Sequence, residues 1–187
     1  MKLSSTYRYT ILCEDKLSQC YIRRFLLAQG ISRRKIFPSA LPAAGCGEQY
    51  VREQFPRYLQ ALRSKNFNAT VLVIAIDADK KTCSEREAQL QAACSACAVA
   101  PWSKNDKLLL FIPKRAIETW IKHFAGETVD EEHDYAHFLN GHESDCYQAA
   151  DKMARDFSLP SFSSSLISLQ DAYDKYASIA ACQACVM

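Results

Sequence analysis

The longest apolar run in this chain extends from Ala69 to Ile76 and contains no charged residue. It ends abruptly in Asp77, Ala78 and Asp79. Runs rich in Val and Ile are typical of strands in parallel sheets that helices cover on both faces. The run therefore predicts a central buried strand, and β-branched and aromatic residues predict further strands at 7–13, 34–39 and 107–112.

Apolar residues at helical spacing separate these strands. They predict helices over 17–29, 48–64, 84–98, 113–121, 145–157 and 165–182. Pro56 falls inside the second helix and predicts a kink or a break, and Ser84 with Glu87 fits a capping box at the start of the third.

Strands that alternate with helices predict an α/β fold. We expect a mostly parallel four-stranded sheet flanked by helices, followed by a helical C-terminal extension. We expect residues 1–125 to form one domain, with 126–187 as an acidic loop and helical extension packed on it.

Composition indicates a globular chain, because 49% of its 187 residues are hydrophobic and 11% are aromatic. No run reaches the roughly 18 apolar residues that a membrane helix needs, and the first residues lack the apolar core of a signal peptide. Nine cysteines, an odd number, fit a reducing compartment. We therefore expect a cytoplasmic protein that does not act in a membrane.

Two Cys-x-x-Cys pairs, Cys94/Cys97 and Cys182/Cys185, are compatible with zinc binding, but they lie in Ala-rich segments that look helical. We favour buried small residues on helices. His133, His137 and His142 lie in an acidic segment, where a metal site and a solvated loop both remain open.

Charge is distributed unevenly along the chain. Residues 1–65 carry 12 Lys and Arg against four Asp and Glu, a net charge of +8, and residues 66–187 carry a net charge of −6. A positive half that faces a carboxylate site suits a phosphodiester substrate, although surface solvation alone also explains the asymmetry.

Four carboxylates follow predicted strands. Glu14 ends the first strand, Asp77 and Asp79 end the third, and Glu118 follows the fourth. Because the carboxyl ends of parallel strands meet at one edge of a sheet, we expect these side chains to converge there. Like charges repel each other unless a cation neutralises them, so the group predicts a Mg²⁺ or Mn²⁺ site. The alternative is that these acids only terminate strands and favour helix N-termini.

Glu14 after the first strand, followed by Asp77-x-Asp79 after a later buried strand, resembles the Toprim domain shared by topoisomerases, primases and a class of nucleases. The resemblance spans residues 9–121. It implies a Toprim-like catalytic domain in which Glu14 is an acid/base and metal-linked group and Asp77 and Asp79 hold Mg²⁺. Glu118 resembles the additional acid of small stand-alone Toprim-like proteins and of overcoming-lysogenization-type nucleases.

Two positions depart from the Toprim pattern. Asp15 follows Glu14 where Toprim domains commonly have Gly, and Lys81 stands where topoisomerase-type versions have a third aspartate.

The resemblance implies a nuclease that hydrolyses phosphodiesters of DNA or RNA with one or two Mg²⁺ or Mn²⁺ ions on Glu14, Asp77, Asp79 and Glu118. Lys114, Arg115 or Lys80 would stabilise charge on the phosphate. The resemblance further implies a role in bacterial anti-phage defence with an ATPase partner, and a homo-oligomer is left open. Other functions stay open: a phosphatase or a sugar-nucleotide transferase that uses the Asp-x-Asp pair, or a domain that binds nucleic acid or a partner without cutting.

Overall fold

The structure is a computed structural model that describes residues 1–43, 45–64, 69–135 and 143–184. Its strands and helices follow in the order β1 (Arg8–Cys13), α1 (Lys16–Ala28), β2 (Ile36–Pro38), α2 (Gly47–Ser64), β3 (Thr70–Ala75), α3 (Cys83–Ala96), β4 (Leu108–Phe111), α4 (Ile117–Phe124), α5 (Tyr147–Phe157) and α6 (Ile167–Ala184). Short 3-10 helices at Arg33–Lys35 and Glu143–Cys146 precede β2 and α5. The predicted α/β fold is confirmed.

The four strands form one sheet in the order β2-β1-β3-β4, and each neighbouring pair is parallel. Cys13 lies opposite Ala75, which lies opposite Phe111, so β1, β3 and β4 end at the same level. The chain leaves β1 toward β2 on one side and returns to β3 on the other side. The sheet therefore has a topological switch point between β1 and β3, the place where α/β sheets hold their ligands.

Side chains of the central strands alternate between two hydrophobic clusters. From β3, Val71, Val73 and Ala75 pack with residues of α1, α4, α5 and α6, whereas Leu72 and Ile74 pack with residues of α2 and α3. Burial of a side chain of this size contributes about 1.5–3 kcal/mol. Both faces of β3 are covered, which explains why its sequence is continuously apolar.

The structure bears on three local predictions at helices. Helix α2 continues through Pro56 without a break, since buried residues on both sides of the proline, such as Phe55 and Leu59, pack against the sheet. The capping box of α3 uses Thr82 and Glu85 instead of Ser84 and Glu87, two residues ahead of the predicted start.

The predicted helix start at Pro113 is also wrong, because α4 begins at Ile117. The carbonyl of Pro113 accepts the N–H of Ala78 at 2.8 Å. This bond extends the backbone pairing of β3 and β4 beyond the strands as far as Pro113. The helix therefore begins after that residue.

The C-terminal helices complete the core on one face of the sheet. Phe157 of α5 and Tyr176 of α6 make edge-on contacts with Phe25 of α1 at ring-centroid distances of 5.7 and 5.9 Å. The indole N–H of Trp120 in α4 donates to the Ser168 hydroxyl of α6 at 2.9 Å. Among the helices that the structure describes, none combines the length and the hydropathy required to cross a bilayer.

Candidate functional site

A pocket of about 350 Å³ lies at the carboxyl edge of the sheet. Its lining residues are Asp15, Asp77, Asp79, Lys80, Arg115, Ala116, Glu118 and Asp134. We call it the acid pocket. It brings together three of the four predicted carboxylates with Arg115, and the fourth, Glu14, joins it through a hydrogen bond to Asp77. Lys114 does not line this pocket, and its charge acts instead on Glu85 at the start of α3.

Glu14 follows β1 directly and is held against the end of β3. Its Oε1 accepts the backbone N–H of Asp77 at 2.6 Å. Gly47, the first residue of α2, permits this placement, because a Cβ there would lie 2.8 Å from both the Cβ and the carbonyl oxygen of Glu14. Burial raises the pKa of Glu14 to about 7, against the lowering effect of the Asp77 N–H, and the charge of Asp79 adds to the rise.

The alternation of β3 continues past its last paired residue and aims Asp77 at the pocket. Ile76 and Ala78 are buried in the cluster that α2 and α3 cover, and their N–H groups donate to the carbonyls of Phe111 and Pro113. Since successive side chains of an extended segment point to opposite faces, Asp77 faces the other way.

The charge around Asp77 opposes its ionisation. Burial raises its pKa well above the usual range, and repulsion adds to the rise from four neighbouring carboxylates: Glu14, Asp15, Glu118 and Asp79. The five acids therefore form one electrostatic group, and Asp77 lies at its centre.

Glu118 reaches the pocket from the first turn of α4. Ile117, Trp120 and Ile121 are buried and fix this helix in the core, which leaves Glu118 directed toward the carboxyl edge. Burial, with a smaller contribution from the charges of Asp15 and Asp134, raises the pKa of Glu118 to about 7.

Asp79 adopts a positive φ of 55°, a conformation that Asp tolerates better than most residues. Its Oδ2 accepts a hydrogen bond of 2.7 Å from Nη2 of Arg86, a guanidinium with no exposed surface. Nη1 of Arg86 donates to Gln89 at 2.8 Å and to the carboxylate of Glu48 in α2. Arg86 therefore fixes Asp79 and ties α3 to α2 beneath it.

Sequence reasoning missed Arg86 as part of the site, although a signal exists. Arg86, Leu90 and Cys94 recur every fourth residue and form the buried side of α3. A charged residue that continues an apolar stripe must find polar partners inside the protein.

Asp15, Asp134 and Lys80 are further charged residues at the pocket, and the prediction included only Lys80. Asp15 caps α1, because its Oδ1 accepts the N–H of Ser18 at 2.7 Å. Its position after Glu14, where the Toprim pattern usually has Gly, gives the pocket an additional carboxylate.

The donor set fits a hard divalent cation chemically, because it offers carboxylate oxygens, the ligands that Mg²⁺ and Mn²⁺ take in proteins. A cation would also reverse the repulsion that raises the pKa of Asp77. Within the described ranges, no three His, Cys, Asp or Glu side chains already stand in the arrangement of a metal site.

The other candidate metal residues either do not line the acid pocket or fall outside the described residues. His133 is exposed and pairs with Asp130 at 2.6 Å, whereas His137, His142 and Cys185 fall outside the described ranges. Cys94 is buried as expected. Cys97 and Cys182 are exposed, because Cys97 follows the last turn of α3 and Cys182 lies on the outer side of α6.

A larger depression of about 470 Å³ lies between β4 and α6. Its charges are mixed and partly satisfied, since Asp106 pairs with Arg63 at 2.8 Å and Lys175 with Asp171 at 2.6 Å. The acid pocket is smaller, but its lining contains more acidic than basic residues, and it lies at the carboxyl edge beside the topological switch point. It is therefore the candidate site.

Comparison of the chain with protein-family models, with curated proteins and with solved structures gives no match. The resemblance to Toprim domains therefore stays a prediction from the residues themselves.

The raised pKa values predict how the stability of the metal-free protein depends on pH. Glu14 and Glu118 hold their protons up to about pH 7 when folded but release them near 4.5 when unfolded. The folded state binds more protons in this window, so stability falls as the pH rises from about 4.5 to about 7. Each ionisation costs on the order of 3 kcal/mol as an upper bound.

Melting temperatures in EDTA between pH 5 and 8 check this expectation. Glu118→Gln removes one of the titrating groups and should flatten the pH profile, whereas Glu53→Gln, at an exposed position of α2, should leave it unchanged. A melting temperature that rises over this window would contradict the electrostatic description of the pocket.

Proposed function

We propose that this protein is a metal-dependent phosphodiesterase that hydrolyses nucleic-acid strands, in the manner of Toprim-type nucleases. The observation that carries the proposal is the convergence of Glu14, Asp77, Asp79 and Glu118, which follow β1, β3 and β4, at the carboxyl edge of the sheet. Topology alone brings acids at strand ends to one edge, but it does not require them to be buried among like charges, and burial of this kind costs free energy unless a cation neutralises the group.

In this proposal Glu14, Asp77, Asp79 and Glu118 hold Mg²⁺ or Mn²⁺. When bound, such an ion polarises a phosphoryl oxygen and lowers the pKa of a bound water. The resemblance to Toprim domains further implies that Glu14 acts as the acid/base group that exchanges a proton with water or with the leaving oxygen.

Arg115 and Lys80 supply the positive charge of the acid pocket. Nη2 of Arg115 lies 3.7 Å from the exposed Glu132 carboxylate, a distance too long for a hydrogen bond. Both side chains are available to bind phosphate oxygens and to stabilise charge that develops on them in the transition state. The predicted third cation, Lys114, is left out of this role because it does not line the pocket.

The resemblance to stand-alone Toprim-like proteins also supports the proposal that the nuclease serves in anti-phage defence with an ATPase partner. That association is one of family and not of physical chemistry.

The first test is cleavage of labelled single-stranded and duplex DNA and RNA by the purified protein, with Mg²⁺, Mn²⁺ or EDTA. We expect strand cleavage with either metal and none in EDTA. Parallel incubations with p-nitrophenyl phosphate and with nucleotide sugars separate the alternatives. Turnover of a phosphomonoester or a nucleotide sugar, with intact nucleic acids, would replace the nuclease proposal by the phosphatase or the transferase.

A further inference from the structure

A second charged depression lies on the outer side of α1. It measures about 210 Å³ and is lined by Cys20, Arg23, Arg24, Leu27, Arg33 and Tyr147. We call it the arginine pocket. Three guanidinium groups enter it, two from α1 and one from the 3-10 helix before β2. It therefore joins two elements of the basic part of the sequence into one concave surface.

Arg24 is fixed in this pocket. Its Nε and Nη2 both donate to the carboxylate of Asp151 at 2.6 Å, and its guanidinium carbon lies 5.5 Å from the centroid of the Tyr147 ring. A bidentate ion pair combined with an aromatic contact restricts the side chain to one geometry. One wall of the pocket is therefore preorganised, and Asp151 compensates one of the three positive charges.

Arg23 and Arg33 supply the remaining positive charge of the pocket. In the described ranges of the chain, neither forms an ion pair with an acid. Arg23 is half-buried and Arg33 is exposed. Cations held close together in a concave site attract anions, and the planar fork of Arg matches phosphate oxygens.

We propose that the arginine pocket binds a backbone phosphate of the nucleic-acid strand whose scissile phosphodiester occupies the acid pocket. The inference rests on the proposed nuclease function for the role of the acid pocket. The geometry of α1 provides the link between the acid pocket and the arginine pocket. Asp15, at the start of α1, lines the acid pocket, and Arg23 follows eight residues later.

The spacing of Asp15 and Arg23 along α1 suits one strand. Eight residues of α-helix rise about 12 Å, which corresponds to roughly three or four nucleotides at 3.4 Å each in a stacked strand. Cys20, Arg23, Arg24 and Leu27 lie on one stripe of α1, because their spacing is three or four residues. Tyr147, which is 40% exposed, adds an aromatic ring beside the cations, a combination typical of surfaces that bind single strands.

Equilibrium binding of fluorescein-labelled 20-nucleotide DNA and RNA strands, measured by fluorescence anisotropy in EDTA, tests the inference. The test variant is Arg23→Ala with Arg33→Ala, which leaves the structural Arg24 intact. The control is Arg57→Ala with Lys104→Ala, two exposed positions outside the arginine pocket, which changes the net charge equally. Melting temperatures of both variants establish that each is folded.

We expect the test variant to bind strands about 10- to 100-fold more weakly than the control, and its salt dependence to fall by the equivalent of one or two phosphate contacts, each about 0.7 in the logarithmic slope. Equal weakening in both variants would reduce the effect to net charge and overturn the inference. A strand affinity of the test variant equal to that of wild type would also overturn the inference. Displacement of the strand by millimolar inorganic phosphate would overturn it too, because the pocket would then be a site for a small anion.

The measurement needs neither metal nor cleavage. An inactive protein whose strand binding depends on Arg23 and Arg33 would refute the nuclease proposal and keep the phosphate site. A metal-dependent nuclease whose strand binding does not depend on these residues would keep the nuclease proposal and refute the phosphate site.

Discussion

Asp77→Asn should reduce metal-dependent strand cleavage by about 10³-fold, the equivalent of about 4 kcal/mol of transition-state stabilisation. Asp77 lies at the centre of the carboxylate group, and burial together with four neighbouring acids raises its pKa. An amide of nearly the same shape removes a charged metal ligand without removing atoms from the structure. Initial rates on a labelled strand in Mn²⁺, together with Mn²⁺ affinity from calorimetry, measure the change.

The same substitution should not harm folding and should raise the melting temperature of the metal-free protein. The wild-type carboxylate is repelled by its neighbours, and the neutral amide relieves that repulsion. Loss of activity with higher stability is the pattern expected of a functional site.

Asp145→Asn is the matched control for Asp77→Asn, since Asp145 is exposed and lies outside the acid pocket. It should leave the cleavage rate and the Mn²⁺ affinity within twofold of wild type and the melting temperature within about one degree. Cleavage by Asp77→Asn at the wild-type rate would show that Asp77 is not a metal ligand required for the reaction. A large loss of stability in that variant would show that its charge is structural.

The sheet could be predicted from the sequence because the signal and the structure have the same physical cause. A strand covered on both faces must be apolar at each position, so the run before Asp77 indicates both a strand and its central place. Once the strands are parallel, acids at their ends must share an edge. The convergence of Glu14, Asp77 and Glu118 follows from topology, and no contact had to be known.

The finer features of the site depend on contacts between distant residues, which a single sequence does not display. Both Thr82 and Ser84 precede a Glu at the spacing of a capping box, and only packing decides that α3 begins after Thr82. Whether Arg115 or Lys114 enters the acid pocket depends on the loop before α4, whose backbone pairs with β3 as far as Pro113.

Arg86→Ala should lower the free energy of unfolding by about 3 kcal/mol and weaken Mn²⁺ binding about 10- to 100-fold. The guanidinium is fully buried and bonds Asp79, Gln89 and Glu48. Its removal leaves a cavity and deprives a buried polar network of its centre, a change that costs several kcal/mol in other proteins. Asp79 also loses the contact that orients it, and loss of a residue that orients a ligand typically weakens metal binding by such a factor.

Arg86→Lys separates charge from geometry, because Lys keeps the positive charge but lacks the planar fork that reaches Glu48 and Asp79 together. We expect it to recover part of the stability and less of the Mn²⁺ affinity. Denaturant titrations and calorimetry of both variants give the two quantities independently.

Arg52→Ala provides the comparison with Arg86, since Arg52 contacts the same Glu48 carboxylate at 2.6 Å but is 37% exposed. A solvated ion pair of this kind contributes at most about 1 kcal/mol, and among the described residues Arg52 forms no ion pair with Asp79. If Arg52→Ala and Arg86→Ala weakened Mn²⁺ binding equally, the effect would come from Glu48 and α2, and Arg86 would have no separate role in positioning Asp79. A selective loss in Arg86→Ala would instead identify the buried guanidinium as the residue that holds the second aspartate of the Asp-x-Asp pair in place.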